Sequence, residues 1–270
     1  MMNPEVATGI HSTAIIHPSA EIGDSVAVGS YCVIGPDVKI GDGTKIEHHA
    51  VIECNTTIGR NCHIGVSAVL GGAPQDYKFH GEQSYLEIGD ENIIREFCTI
   101  HRASGEGNST VIGNNNMLMA YCHVAHNCRL ANYITMANMA GISGHVQVED
   151  KVILSGMAGV HQNVRIGKLA MVGGMSKVVQ DIPPFMLADG RPIKVYDLNV
   201  IGLRRSGVVP RSRAALRQSY KLLYRSSLNI TQAIERIEAE VEPCEELEYL
   251  LDFVKNMKCG RNGRQSEHRG

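Results

Sequence analysis

Leu118–Ile142 reads LMAYCHVAHNCRLANYITMANMAGI, and its period decides the fold. Leu118, Val124, Leu130, Met136 and Ile142 are bulky and apolar, and each is six residues from the last. Four residues after each comes Cys122, Cys128, Ile134, Ala140 or Val146, mostly small. Working outward, the same register runs back through Ile10, Ile16, Ile22, Val28, Ile34, Ile40, Ile46, Ile52, Ile58, Ile64 and Leu70. It resumes at Ile88, Ile94, Ile100 and Ile112, and continues from Val148 to Val178. Between Ile10 and Val178 only Asp76, Glu82 and Glu106 break the apolar rule. Period six is neither the helical 3.6 nor the strand period of two. It fits a short strand plus a turn, three per coil, so that about 18 residues close one coil and each coil leans on its neighbours. Gly follows the bulky residue in many units (Gly23, Gly29, Gly35, Gly41, Gly59, Gly65) and is expected to relax the corner.

This pattern resembles the left-handed parallel β-helix family of hexapeptide repeats. The left hand is implied by the resemblance alone and runs against the usual crossover rule. The expected architecture is mainly β: a left-handed parallel β-helix over residues 1–190, with polar, Gly-rich loops at 71–87 and 102–111. Gln75-Asp76-Tyr77-Lys78 in the first loop, with charges of both signs beside an aromatic, is expected to help line a site. Pro183-Pro184 is expected to stop the ladder. A C-terminal α-helical domain over 191–258 follows. It is read as a short helix at 195–205, then helices at 211–226, 230–241 and 245–257. Residues 259–270 are expected to form a disordered tail.

Composition narrows the function. The chain has 270 residues, a net charge of −2, no Trp and 12 His, so nothing pulls the whole molecule toward nucleic acid. No basic segment followed by an apolar stretch opens the chain, and no run of about 18 apolar residues occurs. No transmembrane segment is expected, and the expected compartment is the cytoplasm. Cys32, Cys62, Cys98, Cys122 and Cys128 fall in the small inward slot, where a free thiol acts as a small hydrophobe. All eight Cys are read as reduced. Arg191 to Arg225 carries nine cations against Asp197 alone, which suits an anionic partner or a phosphate-bearing ligand.

Coil arithmetic places the histidines. Residues 126, 144 and 162 are one coil apart, so His126, His145 and His161 are expected near one edge of three successive coils, with Gln162 on the same line. Strands in such a stack lie roughly 4.8 Å apart. Three imidazoles can bind a metal, as in the β-helical carbonic anhydrases, or one can serve as a general base near neutral pH. The carbonic anhydrase ligand set includes two His five residues apart on one coil, and no such pair occurs here. A non-catalytic scaffold is a further alternative.

Several motifs outside the repeat occur in one order: Gln75-Asp76-Tyr77-Lys78, Arg95-Glu96-x2-Thr99-Ile100-His101-Arg102, His123-Val124-Ala125-His126-Asn127-Cys128, Ser143-Gly144-His145, Val160-His161-Gln162, Asp181-Ile182-Pro183-Pro184 and Asn199-x2-Gly202-Leu203-Arg204-Arg205. Together they resemble the bacterial UDP-N-acetylglucosamine O-acyltransferase family over about residues 10–257. That resemblance implies transfer of a 3-hydroxyacyl chain from acyl carrier protein to the sugar 3-hydroxyl, the first step of lipid A synthesis. It implies a homotrimer with each site between two subunits, and no cofactor or metal beyond the carrier's thioester. His126 then matches the general base and Gly144 the backbone oxyanion donor. Asp76, Lys78 and His123 match sugar-holding residues. His145, His161 and Gln162 match the donor and nucleotide side, and Asn199 and Arg205 the nucleotide contacts. Gly174 matches the position that leaves room for a chain of roughly fourteen carbons. The closest alternative is N-acylation of the 3-amino analogue of the sugar. The related N-acyltransferase carries an extra N-terminal domain, for which the hexads, starting at residue 10, leave no room. Three positions depart from the family: Asn127 where Asp is frequent, Ile201 where some members have Glu, and Ser206 in place of a second Arg.

Overall fold

The computed structural model describes residues 9–267. The start of the chain, read above for a signal sequence, lies outside the described residues up to residue 8, as do residues 268–270 of the tail. The hexads form strands of mostly two residues that stack in parallel into three sheets of nine, eight and ten strands, the faces of a triangular prism, the third counting two strands beyond the hexads. The first face stacks Ile16, Ile34, Ile52, Leu70, Ile100, Val124, Ile142, Val160 and Val178. This is the left-handed parallel β-helix. Its interior is a set of columns one residue wide. Ile34, Ile46, Ile52, Ile58, Ile64, Leu70, Ile94, Ile100 and Leu118 are at most 1% exposed. Each such side chain contributes about 1.5–3 kcal/mol of transfer free energy. Cys32, Cys62, Cys98, Cys122 and Cys128 are buried free thiols in the same interior.

The corners are built differently from the expectation. The glycine after the bulky residue is not the one with unusual dihedrals. The left-handed backbone falls two residues later, on residues that are almost all non-glycine: Ser25, Tyr31, Asp37, His49, Asn55 and so on to Met175, with φ between +52° and +63°. Glycine is needed after the bulky residue because the next coil leans over it. A Cβ on Gly59 would lie 2.6 Å from the Gly89 carbonyl, and one on Gly113 would lie 2.5 Å from the Ala131 oxygen. The space so freed admits a polar side chain from the coil above, which accepts the next corner N–H. Asp42 takes Asp24 N–H at 3.0 Å, Asp90 takes Arg60 N–H at 2.7 Å, and Asn132 takes Asn114 N–H at 2.8 Å. Corner amides that two-residue strands leave unpaired are satisfied in this way.

The ladder also passes the prolines. Ile182 bridges to Ile166, and Met186–Asp189 extends the third sheet in parallel. Lys194–Leu198, expected to be helical, is an antiparallel strand that finishes that sheet beyond residue 190. Proline is tolerated here because this coil is the last and needs few donors. Four helices follow: α1 (Val200–Arg205), α2 (Pro210–Tyr224), α3 (Ile230–Glu240) and α4 (Glu245–Cys259). Asn199 caps α1, Pro210 opens α2, and Asn229 with Gln232 forms a capping box on α3. Leu203, Leu216, Tyr220, Ile237, Leu250 and Val254 share a core with Leu169, Phe185 and Met186 of the last coils. Arg165 stacks on Phe253 at 4.7 Å and Glu149 accepts from the Tyr249 hydroxyl, joining α4 to the solenoid wall. The expected disordered tail is ordered through Glu267: Asp181 N–H donates to Gly263 O, and Gln265 N–H donates to the Asp181 carboxylate.

Gly113→Ala is expected to lower unfolding free energy by about 1–3 kcal/mol, the usual cost of forcing a methyl into a filled site. Equilibrium urea denaturation measures this, and an unchanged midpoint would show that the coil above can yield.

Candidate active site

The first face holds a groove of about 590 Å³, and the sequence explains why it is open. The outward residues on four successive rungs are His123, Gly141, Gly159 and Lys177, paired in register. The two glycines leave a flat floor: a Cβ on Gly159 would meet nothing within 4 Å, and one on Gly141 only the His123 Cβ at 3.9 Å. The edge of the groove is the corner column His126, Gly144 and Gln162, with His161 beside it.

His126 is fixed by its neighbour. Asn127 has φ +59°, a left-handed conformation that Asn adopts more readily than most residues. Its N–H donates to Thr110 Oγ1 at 2.8 Å. Its side-chain amide donates to Ser104 O at 3.1 Å, and its Oδ1 accepts Ser104 N–H at 2.9 Å, which settles which end of the amide is oxygen. His126 Nδ1 lies 2.8 Å from that same oxygen. An amide oxygen only accepts, so Nδ1 carries the proton and Nε2 is left as an acceptor. Above the ring is Gly144, where a Cβ would stand 2.6 Å from Cε1 and 2.7 Å from Nε2. Any side chain there would displace the imidazole. Gly144 N–H has no acceptor among the described residues, although its carbonyl takes Asn163 N–H.

The other imidazoles pack around this one. His145 meets His126 edge to face with centroids 5.3 Å apart. Burial, with the charge of His126 next, holds the His145 pKa below its ordinary value. His123 Nδ1 bonds Thr99 Oγ1 at 2.7 Å, and its ring meets His101 at 5.2 Å. Burial lowers the pKa of both His123 and His101, so each is biased toward the neutral form.

The loop that follows Gly72 supplies Gln75 to the groove. Asp76 accepts Lys78 N–H at 3.0 Å. That bond, a further one from Ser104 and the charge of His126 hold the exposed Asp76 carboxyl below its usual range. Arg102 anchors the loop, donating to Gly71 O at 2.9 Å and lying 5.5 Å from the centre of the Phe79 ring. Two of the three residues that break the hexad rule tie the loops together. Glu82 accepts Gly105 N–H at 2.9 Å, and Glu106 accepts Gln83 N–H at 3.0 Å. The second loop thereby presents Ser104 to Asn127.

Of the residues singled out from sequence, His123, His126, Gly144, His161 and Gln162 line one groove, with His145, Asp76 and Lys78 at its border. Asn199, Arg205 and Gly174 do not line it. Asn199 is 7% exposed and fully engaged, accepting Gly202 N–H at 3.0 Å and donating to Leu169 O at 2.9 Å. Arg205 sits at the exposed end of α1. Gly174 lies on the opposite edge of the face, where a Cβ would meet only Gly156 O at 3.4 Å. Lys177 and Ser143 line the groove and were missed. Lys177 could have been found by adding three coils to His123. No group of three His, Cys, Asp or Glu side chains among the described residues is placed to hold a metal ion.

Residues 181–263 match the family model described as UDP N-acetylglucosamine O-acyltransferase, domain 2, and residues 37–72 match bacterial transferase hexapeptide (six repeats). An acyl-[acyl-carrier-protein]–UDP-N-acetylglucosamine O-acyltransferase of Thermodesulfovibrio yellowstonii is 46% identical over 252 residues, 93% of this chain and 98% of that protein. Among solved structures, a UDP-N-acetylglucosamine acyltransferase from Bacteroides fragilis superposes with a TM-score of 0.89 at 39% identity, covering 91% of this chain and 96% of that one. The corresponding protein of Acinetobacter baumannii gives 0.87 at 41% identity with the same shares covered. With a near full-length relative at this identity and the same prism underneath, the chain belongs to the UDP-N-acetylglucosamine O-acyltransferase family.

Proposed function

We propose that this chain moves a 3-hydroxyacyl group from acyl carrier protein to the 3-hydroxyl of UDP-N-acetylglucosamine, the opening step of lipid A synthesis, with His126 as general base. The observation that carries the mechanism is the Nδ1–Asn127 bond, which leaves Nε2 of His126 free and facing the groove. Nε2 takes the proton of the sugar hydroxyl as its oxygen attacks the thioester carbonyl. The tetrahedral oxyanion falls to the Gly144 N–H, which has no other partner among the described residues. Collapse breaks the C–S bond, and the imidazolium returns its proton to the leaving thiolate. No metal or cofactor takes part, since the activated carbonyl arrives on the carrier.

In this reading Asp76, Lys78 and His123 hold the sugar, while His161 and Gln162 border the donor and nucleotide side. His145 buttresses His126 by ring contact and, biased toward the neutral form, adds little competing positive charge beside the base. Arg205 and Gly174 complete the site of a neighbouring copy in a homotrimer, with the buried Asn199 holding the start of α1 that carries Arg205. One edge of the prism supports such an assembly: Phe97, Tyr121, Met139, Met157 and Met175 form a column, each 44–56% exposed. A continuous apolar edge of this kind marks an interaction surface. Arg204 and Arg205 stand exposed at the end of α1, with Arg213 half-buried nearby in sequence, and suit an anionic carrier protein. A cytoplasmic site of action is part of the proposal. Among the described residues no helix is long and apolar enough to cross a membrane.

His126→Ala is expected to lower kcat by about 10²- to 10⁴-fold, the usual contribution of a positioned base, without changing the melting temperature. Near-normal transfer by this variant would refute the mechanism. Mass analysis of products from UDP-N-acetylglucosamine and from its 3-amino analogue tells O- from N-acylation; the hydroxyl sugar is expected to give the higher kcat/KM. Gly144→Ala is expected to cost about 10²-fold in kcat by pushing the ring out of line, since a misplacement of about 1 Å has that effect. A Gly144→Ala variant with wild-type kcat would show that the ring position is not critical.

A further inference from the structure

We propose that the C-terminal segment 260–267 braces the last rung of the groove and fixes the coil edge on which the thioester donor lies, with Arg264 and Glu267 as positioning residues. The inference rests on the acyl-transfer reading above.

The groove runs down the first face from His123 and His126 to Lys177, Val178 and Val179. From His123 to Lys177 is three strand spacings, roughly 14 Å. A chain extended from a thioester at His126 along the glycine floor therefore arrives at this last rung. Here the first sheet ends, and Val179 O would meet the next coil if there were one. Arg264 stands in for it. Its guanidinium, with the side chain only 10% exposed, donates to Val179 O at 2.6 Å. Its second nitrogen bonds Glu267 at 2.8 Å. Glu267 in turn accepts from the Asn163 side chain at 3.4 Å, next to the groove residue Gln162.

The segment is held in place by its own bonds. Arg261 N–H donates to Glu267 O at 2.8 Å, closing the loop on itself. Asp181, 1% exposed, accepts Arg165 N–H at 2.7 Å with one oxygen and Gln265 N–H at 2.8 Å with the other. One buried carboxylate thus joins the last coil to the tail. The Arg264 hydrogen bond first, then Asn163 and the charges of Arg264 and His161, hold the Glu267 carboxyl below its usual range. An ion pair therefore backs the last rung, bonded to Val179 O on one side and to the Asn163 side chain on the other. The third sheet has already been finished by Lys194–Leu198, so its edge does not require this contact.

The test uses the full chain with Arg264→Ala and Glu267→Gln, 3-hydroxytetradecanoyl acyl carrier protein and UDP-N-acetylglucosamine. Loss of one or two hydrogen bonds at the last rung is expected to raise the donor KM about threefold to tenfold in Arg264→Ala, and less in Glu267→Gln. The acceptor KM is expected to stay unchanged and kcat at saturating donor to stay within about twofold, the split that marks lost ground-state positioning. A purely structural role would instead lower kcat and melting temperature together without favouring the donor. The proposal is overturned if the wild-type protein transfers acyl groups and both variants keep its donor KM. It is overturned equally if Arg264→Ala melts early while Glu267→Gln behaves as wild type. A wild-type protein that forms no acylated sugar would refute the acyl-transfer reading, and this inference with it.

Discussion

Everything in this molecule depends on a corner that must turn left. In most hexads from Ser25 onward one residue takes φ near +60°, a region that costs an ordinary L-residue about 1–2 kcal/mol. A single corner of that kind would not hold. A stack of them does. Inside, a bulky residue and a small one fill a column that excludes water. Outside, along the edge that carries Asp24, Arg60, Asn114 and Asn132, a polar side chain from the coil above takes the corner N–H. Glycine after the bulky residue makes room for most of these outer clamps, since the incoming Asp or Asn occupies the place of its Cβ, although Ala131 stands there beneath Asp150. Backbone strain is therefore repeated along the whole prism and offset locally at every step.

The site is a modification of that rule, to which two inserted loops add Gln75 and Ser104. Asn127 and His145 are both left-handed corner residues, on successive coils. The conformation turns the Asn127 side chain back against His126 and sets His145 edge-on to the same ring. At the rung faces the change is one of omission. Where Thr99 and His123 stand on two rungs, Gly141 and Gly159 stand on the next two, and the missing side chains are the groove. A prism that is rigid because its columns are full provides the fixed frame that acid–base geometry requires.

This division explains what could be read from the sequence. The hexad register, the inward thiols and the shared edge of His126, His145 and His161 follow from counting, because the period transmits position faithfully from coil to coil. Counting also places Lys177 and the glycine floor, which needed only the column one residue earlier. The corner itself was misread. Gly in the repeat suggested dihedral freedom, whereas the coil above determines that it is needed for space. Glu82 and Glu106 looked like failures of the pattern and are the ties between two loops, a pairing across 23 residues that no local rule announces. Lys194–Leu198 carries helix-compatible residues and becomes a strand because Met186–Asp189 offers an open edge. The ordered tail was hidden for the same reason: its partners, Val179 and Asp181, lie more than eighty residues away.

Asn127 shows most clearly what the frame does for the chemistry. A carboxylate at this position would accept from both His126 Nδ1 and Ser104 N–H, as the amide oxygen does. It would have nothing to donate to Ser104 O. The amide makes that third bond at 3.1 Å, and through it the loop that carries Ser104 is tied to the same residue that orients the base. Asp would supply charge and so favour the imidazolium of the proposed mechanism. Asn supplies no charge, only a fixed tautomer and a fixed loop. In the proposed mechanism His126 is set by position more than by a neighbouring charge.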